Sequence, residues 1–344
     1  MKLLANQPWL RNPLLETFLI LLPPVAPIFL LLAFPNYFHT HGFVSNGWWI
    51  VLVMGIDVSH VYSTTFRFYW EPQLFEQYKR HLIITPIAAF LIGWFLHSID
   101  ALVFWRVMAY VAVFHFIRQQ YGFMRLYSRK SKSTAAERNI DSVAIYTATI
   151  YPILYWHLNK TGELNWFVEG DFINLSFLNS AVFDYAYFAV IFVYLAKEIW
   201  ATIGSKSFNF PKNAIVVGTF LSWYVGIVLA ENDLTFTMLN VIAHGIPYMA
   251  LIWIYGSKSR NTTWQFPMKE VALFLIILLA FAYLEEGIWD ILIWKDHPEV
   301  FPFLQDIPRP DLWLVSILVP ILSLPQITHY VIDGFIWKLS KPAS

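Results

Sequence analysis

The chain has 344 residues, of which 58% are hydrophobic and 13% are charged, and its formal net charge is zero. Soluble domains carry about a quarter charged residues, so this composition excludes an ordinary soluble fold. It predicts an all-α, polytopic integral membrane protein in contact with the lipid bilayer. The zero net charge gives no reason to expect nucleic acid as a partner, and nothing points to a particular protein partner. The absence of cysteine excludes disulfides and thiolate metal sites.

About ten apolar runs are long enough to cross the hydrocarbon core, which takes about 20 helical residues. They predict one transmembrane domain over residues 1–344, with spans at 14–34, 47–66, 82–97, 101–122, 141–158, 180–203, 212–230, 234–256, 270–289 and 311–337. The first run contains Pro23, Pro24 and Pro27, which predicts a kink. The residues before it lack the pattern of a signal peptide, so we expect this helix to be retained.

Lysine and arginine orient these spans, because basic residues stay on the cytoplasmic side. With the N-terminus inside, only Lys160, Lys295 and Arg309 fall outside, and Arg106 and Arg118 fall within spans. The other eighteen of the 23 basic residues then lie in cytoplasmic segments. The sequence therefore predicts that both termini are cytoplasmic, in what we expect to be a bacterial inner membrane.

Four histidines lie inside predicted spans and away from the span ends: His60, His115, His244 and His329. Their spans are the second, fourth, eighth and tenth, which all run from outside to inside. At 1.5 Å rise per residue, the four stand roughly 10 to 18 Å above the inner ends of their helices. We therefore expect them at one level in the cytoplasmic half of the membrane. An ionisable side chain in a span is costly unless it is paired, so each is a candidate for function.

Polar neighbours one helical turn away share a face with each of these histidines. Asp57 precedes His60 by three residues, Asn240 precedes His244 by four, Arg118 follows His115 by three with Gln119 and Gln120 beside it, and Asp333 follows His329 by four. A metal-bound imidazole usually donates its other N–H to a carboxylate or an amide. We expect Asp57, Asn240 and Asp333 to orient the histidines. Alternatively, the two aspartates are metal ligands themselves. Gln119 is expected to line the approach to the site. Four imidazoles with carboxylates suit iron, zinc or copper.

Other interpretations of these residues stay open. The histidines could ligate haem, form an ion or proton path, or only bridge helices by hydrogen bonds. We expect Glu285 and Glu286 to face water beside an acidic loop, and Lys197 and Glu198 to be helix-end residues. His39 and His41 fall in the first outer loop and are expected to be exposed.

Three features of the sequence are similar to the arrangement in one known protein family. They are the spacing between His60 and His115, the histidines with a nearby aspartate, and the His244-Gly245 pair. The chain resembles in layout the Brp/Blh family of bacterial membrane β-carotene dioxygenases, polytopic non-haem iron proteins whose histidine ligands come singly from different helices. It departs from that family in lacking a Pro-His-Gly-x-x-Asp segment and in carrying His244 and His329 on separate helices. The resemblance implies iron and molecular oxygen, and does not extend to the carotenoid substrate. Some segments are also similar to uncharacterised bacterial membrane proteins, which implies no function.

The sequence thus predicts a membrane-embedded, histidine-ligated metalloenzyme, a non-haem iron oxygenase or oxidase acting on a lipophilic small molecule. Zinc and copper are the alternative metals. Arg118 is predicted to offset negative charge or to hold an anionic head group, and Tyr330 to donate a proton. The alternatives are an ion- or proton-coupled transporter that uses the same histidines and aspartates, and a haem-binding electron carrier.

Overall fold

The computed structural model describes residues 7–129, 131, 133–160, 165–178, 181–205, 208–259, 268–303 and 305–336. These ranges are helical and contain no strand, so the predicted all-α class is confirmed for them. In chain order the helices are α1 (Pro13–Leu21), α2 (Ala26–Ala33), α3 (Pro35–Thr40), α4 (Asn46–Tyr69), α5 (Pro72–Ile99), α6 (Ala101–Ser128), α7 (Ala135–Tyr155), α8 (Ala181–Ser205), α9 (Phe210–Trp223), α10 (Asp233–Ser259), α11 (Met268–Trp294), α12 (Leu312–Leu322) and α13 (Leu324–Ile336).

Seven helices of the described chain are long and apolar enough to cross a membrane, which indicates an integral membrane protein. They are α4, α5, α6, α8, α10, α11 and the segment Leu312–Gly334, which comprises α12 and most of α13. The predicted count of about ten is not confirmed. The predicted spans at 141–158 and 212–230 fall largely on α7 and α9. Both are helical, but neither is among the seven long, apolar helices. The cytoplasmic placement of the termini stays a prediction, and residues 1–6 and 337–344 lie outside the described ranges.

The first predicted span is broken rather than continuous. Helices α1 and α2 meet at an angle of 61°, as in a broken span or a re-entrant segment, and counting them as one span raises the total to eight. Pro23 and Pro24 stand at the break. Proline lacks the N–H that a helix needs and clashes with the preceding turn, so the helix ends here and restarts at Ala26.

Residues 1–43 and 113–247 form one compact unit, in which α7 packs against both α8 and α9. An aromatic cluster in this unit includes Trp156, Trp166 and Phe172, with ring centroids 4.7 to 6.2 Å apart. The loop that carries Trp166 is closed by Asp171, whose carboxylate accepts three successive backbone N–H groups. These three hydrogen bonds satisfy the buried carboxylate.

Four charged side chains on α7, α8 and α9 form a buried network in the same unit. Lys197 donates to both Asp141 and Glu198, and Lys212 donates to Glu198 and lies 3.4 Å from Asp141. The expectation that Lys197 and Glu198 are simple helix-end residues is therefore wrong. Glu198 is buried and only 8% of the Lys197 side chain is exposed, which is tolerated because the opposite charges on three packed helices neutralise one another.

Residues 44–112 and 248–344 form the second compact unit. Here α4 packs against α11 and α13, and α5 packs against α12 and α13. Ile87, Leu91 and Phe95 on α5 are exposed, as on a helix that faces lipid. Helix α4 contains two π-helical stretches, Ile50–Val58 and Thr65–Tyr69, on either side of Ser59–Thr64. Such wide turns are rare and are frequent at functional sites.

Candidate metal centre

His60 and His329 form one close pair of imidazoles, on α4 and α13. Both side chains are buried, and their ring centroids are 4.9 Å apart at an interplanar angle of 81°. The edge of one ring thus points at the face of the other. His60 lies in the short α-helical stretch between the two π-helical stretches of α4, so its direction is set by an irregular part of the helix.

His115 and His244 form a second pair with nearly the same geometry, on α6 and α10. Their ring centroids are 5.0 Å apart at an interplanar angle of 82°. The ring of Phe116 stacks on His244 at 3.6 Å and 7°, and Gln119 donates from Nε2 to the backbone oxygen of His244 at 2.8 Å. These contacts hold both the ring and the backbone of His244 in place.

The structure brings all four histidines together. Each offers one ring nitrogen, these nitrogens all lie within 4.8 Å of one another, and each residue is at most 2% exposed. Two imidazole nitrogens on opposite sides of one metal, with bonds of about 2.1 Å, lie about 4.2 Å apart. The group is only slightly wider than a mononuclear metal site. Neutral imidazoles are good ligands for iron, zinc and copper, and this donor set fits any of the three.

Two hydroxyl residues beside the first pair were not among the sequence predictions. Thr64 Oγ1 lies 2.7 Å from Nδ1 of His329 and 3.2 Å from the hydroxyl of Tyr248. The ring of Tyr248 meets the rings of His329 and His60 edge-on, with centroids 5.0 and 5.9 Å away. Asp333 is hydrogen-bonded to the Tyr248 hydroxyl. Thr64 follows one histidine by four residues and Tyr248 follows another by four, so the spacing that selected Asp333 could have found both.

A set of carboxylates lies on α4, the helix that carries His60, and on α11, which packs against it. Asp57 Oδ1 is 3.7 Å from Nδ1 of His60, and Tyr62 donates to Glu285 Oε2 at 2.5 Å. Glu286 is the next residue after Glu285 on α11, which brings this set to three carboxylates. The expectation that Glu285 faces water is wrong, since only 5% of it is exposed.

The other predicted site residues have identifiable contacts. Asn240 donates from Nδ2 to the backbone oxygen of Phe236 at 2.8 Å. The ring of Tyr330 is 5.9 Å from that of His329. Arg118 donates to the hydroxyl of Tyr146 and lies over the ring of Tyr121, 5.0 Å from its centroid. The roles assigned to Asn240, Tyr330 and Arg118 stay predictions.

The helices and the buried imidazoles together define an integral membrane protein with a candidate metal centre of four histidines. Comparison with known protein families, with curated proteins and with solved structures finds no match for this chain. The resemblance to the Brp/Blh family therefore stays a hypothesis, and the function has to be argued from the site itself.

Proposed function

We propose that this chain is a membrane-embedded metalloenzyme in which His60, His115, His244 and His329 bind one metal ion. The observation that carries the proposal is the group of four buried ring nitrogens within 4.8 Å of one another. Polar side chains within a span need partners, and one divalent cation satisfies all four at once. Four neutral ligands leave the charge of the cation uncompensated, so the carboxylate of Asp57 beside His60 supports the same assignment.

Iron is the preferred metal, with zinc and copper as the other ions that suit imidazole ligands. The resemblance to the Brp/Blh family supports iron and molecular oxygen. An iron ion held by the four imidazoles would supply the chemistry with oxygen, and a site among membrane helices favours a lipophilic substrate from the bilayer. The reaction we propose is oxygenation. When both oxygen atoms enter a carbon–carbon double bond, C=C and O2 give two C=O groups, so the reaction balances without a further reductant.

Other polar residues are proposed to support this chemistry. Asp57 and Asp333 orient histidines, and Gln119 fixes the backbone of His244 through its hydrogen bond. Tyr330 is the proposed proton donor beside His329. Arg118 uses one N–H for Tyr146, and its other N–H groups suit an anionic group of the substrate.

Metal analysis of the purified protein tests the proposal directly. We expect about one iron per chain, no Soret absorption band, and loss of bound metal by more than about 100-fold on changing any of the four histidines to alanine. His39→Ala and His41→Ala serve as matched controls because both side chains are exposed, and they should retain the metal. A wild-type protein without bound metal, or a His244→Ala protein that keeps it with the helices intact, contradicts the proposal.

An ion- or proton-coupled transporter is the second candidate, and one observation favours it. Among the described residues, no lysine or arginine forms an ion pair with Asp57, Glu285 or Glu286, so a passing cation could be bound there. Cation flux into proteoliposomes that is lost in both the His60→Ala and the Asp57→Asn variants would support it. A haem-binding electron carrier has less support, because a haem needs only two axial histidines whereas this group brings four together.

A further inference from the structure

The hydrogen bond at His329 Nδ1 is not one that the sequence predicted. Asp333 stands one turn away on the same helix, but the partner of His329 Nδ1 is the hydroxyl of Thr64, at 2.7 Å. A hydrogen bond to one ring nitrogen determines which nitrogen can ligate a metal. With Nδ1 engaged by Thr64, coordination by His329 uses Nε2.

The hydroxyl of Thr64 is also the middle of a longer chain of hydrogen bonds. It lies 3.2 Å from the hydroxyl of Tyr248, and Tyr248 is in turn hydrogen-bonded to Asp333. A hydroxyl both donates and accepts, whereas an ionised carboxylate only accepts. The direction consistent with all three bonds starts at His329 Nδ1–H, passes through Thr64 Oγ1–H and Tyr248 O–H, and ends on the Asp333 carboxylate.

Water is excluded from every member of this chain. Thr64, Tyr248 and Asp333 are at most 4% exposed, and Tyr248 has no exposed surface. A buried hydroxyl that loses its partner has no solvent to replace it, so each bond constrains the next. The Tyr248 ring also contacts the imidazoles of both His60 and His329, which limits how far either can turn.

We propose that Thr64 and Tyr248 are positioning residues that connect Asp333 to His329 and fix the tautomer in which Nε2 faces the metal. This inference rests on the proposed metal site. It connects the carboxylate to the histidine by a relay through two hydroxyls from two other helices, α4 and α10. The residues do not touch the substrate in this role, and their effect is on the orientation and the basicity of one ligand.

The test uses Co2+ affinity and pulsed electron paramagnetic resonance of the Cu2+-loaded full-length protein, which reports hydrogen bonding at the remote nitrogen of each bound imidazole. Thr64→Val removes the hydroxyl with little change of shape. It should weaken Co2+ binding about 10- to 100-fold and alter the signal of one imidazole. Thr64→Ser should restore both, and Tyr248→Phe should lower the affinity while keeping the Thr64 contact. Thr65→Val is the matched control, since that hydroxyl bonds the backbone oxygen of Tyr62.

The outcomes separate this inference from the proposed function. A wild-type protein that binds neither Co2+ nor Cu2+ removes the metal site and this inference with it. A wild-type protein that binds both, with Thr64→Val unchanged in affinity and in the remote-nitrogen signal, overturns the inference alone. Should Thr64→Val fail to fold, Tyr248→Phe decides the question, because an unchanged affinity there breaks the relay at its second hydroxyl.

Discussion

Two groups of acidic side chains in this protein are balanced in different ways. In the first unit, Asp141 and Glu198 are matched by Lys197 and Lys212, so the network has two positive and two negative charges. Asn213 adds a hydrogen bond to Glu198 at 2.7 Å. Every carboxylate there has a cation within reach, and the network needs no external ion.

In the second unit, Asp57, Glu285 and Glu286 form no ion pair with a lysine or arginine of the described chain. Asp57 lies beside the imidazole of His60, and Glu285 accepts from the phenol of Tyr62. An unpaired carboxylate is expensive at membrane depth, whether it is held ionised or kept protonated. A bound cation removes this cost, and the region that carries the excess negative charge also carries half of the proposed ligands.

The comparison separates two uses of buried charge. A balanced network stabilises the packing of helices and has nothing left for a ligand, whereas an unbalanced one is completed only by a cation or a proton. Removing a charge should therefore damage the fold in the first region and damage ligand binding in the second.

The largest expected effect on stability is that of Lys212→Met. The change leaves two buried carboxylates with one cation, and breaking a buried ion pair typically costs about 3–5 kcal/mol. Thermal and chemical unfolding of the protein in detergent, followed by circular dichroism, measures this loss. Adding Glu198→Gln should recover part of it by restoring the balance.

Glu285→Gln is the matched change in the second region. It removes a charge that no described cation balances, so the free energy of unfolding should change by less than about 1 kcal/mol. The distinction between the two regions is lost if Lys212→Met is as mild as Glu285→Gln, or if Glu285→Gln is as severe as Lys212→Met.

Asp57→Asn should separate metal binding from folding within the second region. The variant keeps the shape of the side chain but loses the charge beside His60, so Co2+ affinity should fall about 10- to 100-fold if Asp57 orients that ligand. A larger loss would identify Asp57 as a ligand itself. Equilibrium titration with Co2+ measures the affinity. The control is Asp184→Asn, a carboxylate in the other unit that accepts from Tyr151 at 2.7 Å, and its affinity should equal that of the wild type.

Apolar length in the sequence identified most helices correctly, and it left two predicted spans unconfirmed where charge is buried. The predicted spans at 101–122 and 234–256 lie within α6 and α10. The predicted spans at 141–158 and 212–230 did not qualify as membrane-spanning, and their helices carry Asp141 and Lys212. Hydropathy treats such residues as facing water. Only the packing of α7, α8 and α9 shows that these charges neutralise one another.

Helical spacing identified which residues of the site share a face, but not which of them would bond. The four histidines and their polar neighbours one turn away follow from positions three and four apart on a helix. The structure shows that such neighbours also serve a histidine on another helix. Thr64, four residues after His60, bonds His329, and Gln119, four residues after His115, bonds the backbone of His244. The partner depends on which helices pack together, and that information is absent from spacing within one helix.

Arg118 extends the comparison from carboxylates to a cation. Of the changes considered, Arg118→Lys should have the smallest effect on metal binding. Its described partners are the hydroxyl of Tyr146 and the ring of Tyr121 rather than a carboxylate, so its charge is unbalanced in the opposite sense. If it holds an anionic head group, lysine should replace it poorly, because the planar fork that binds a carboxylate is lost. Hydrogen bonds to charged groups contribute about 1.5–3 kcal/mol, so Arg118→Lys should bind a long-chain fatty acid about tenfold or more weakly than the wild type does. Its methyl ester, which lacks the charge, should bind both proteins equally, and bound metal should be unchanged. Fatty-acid affinity and metal content equal to those of the wild type would instead mean that the guanidinium only reaches towards the membrane surface, as long basic side chains near helix ends do.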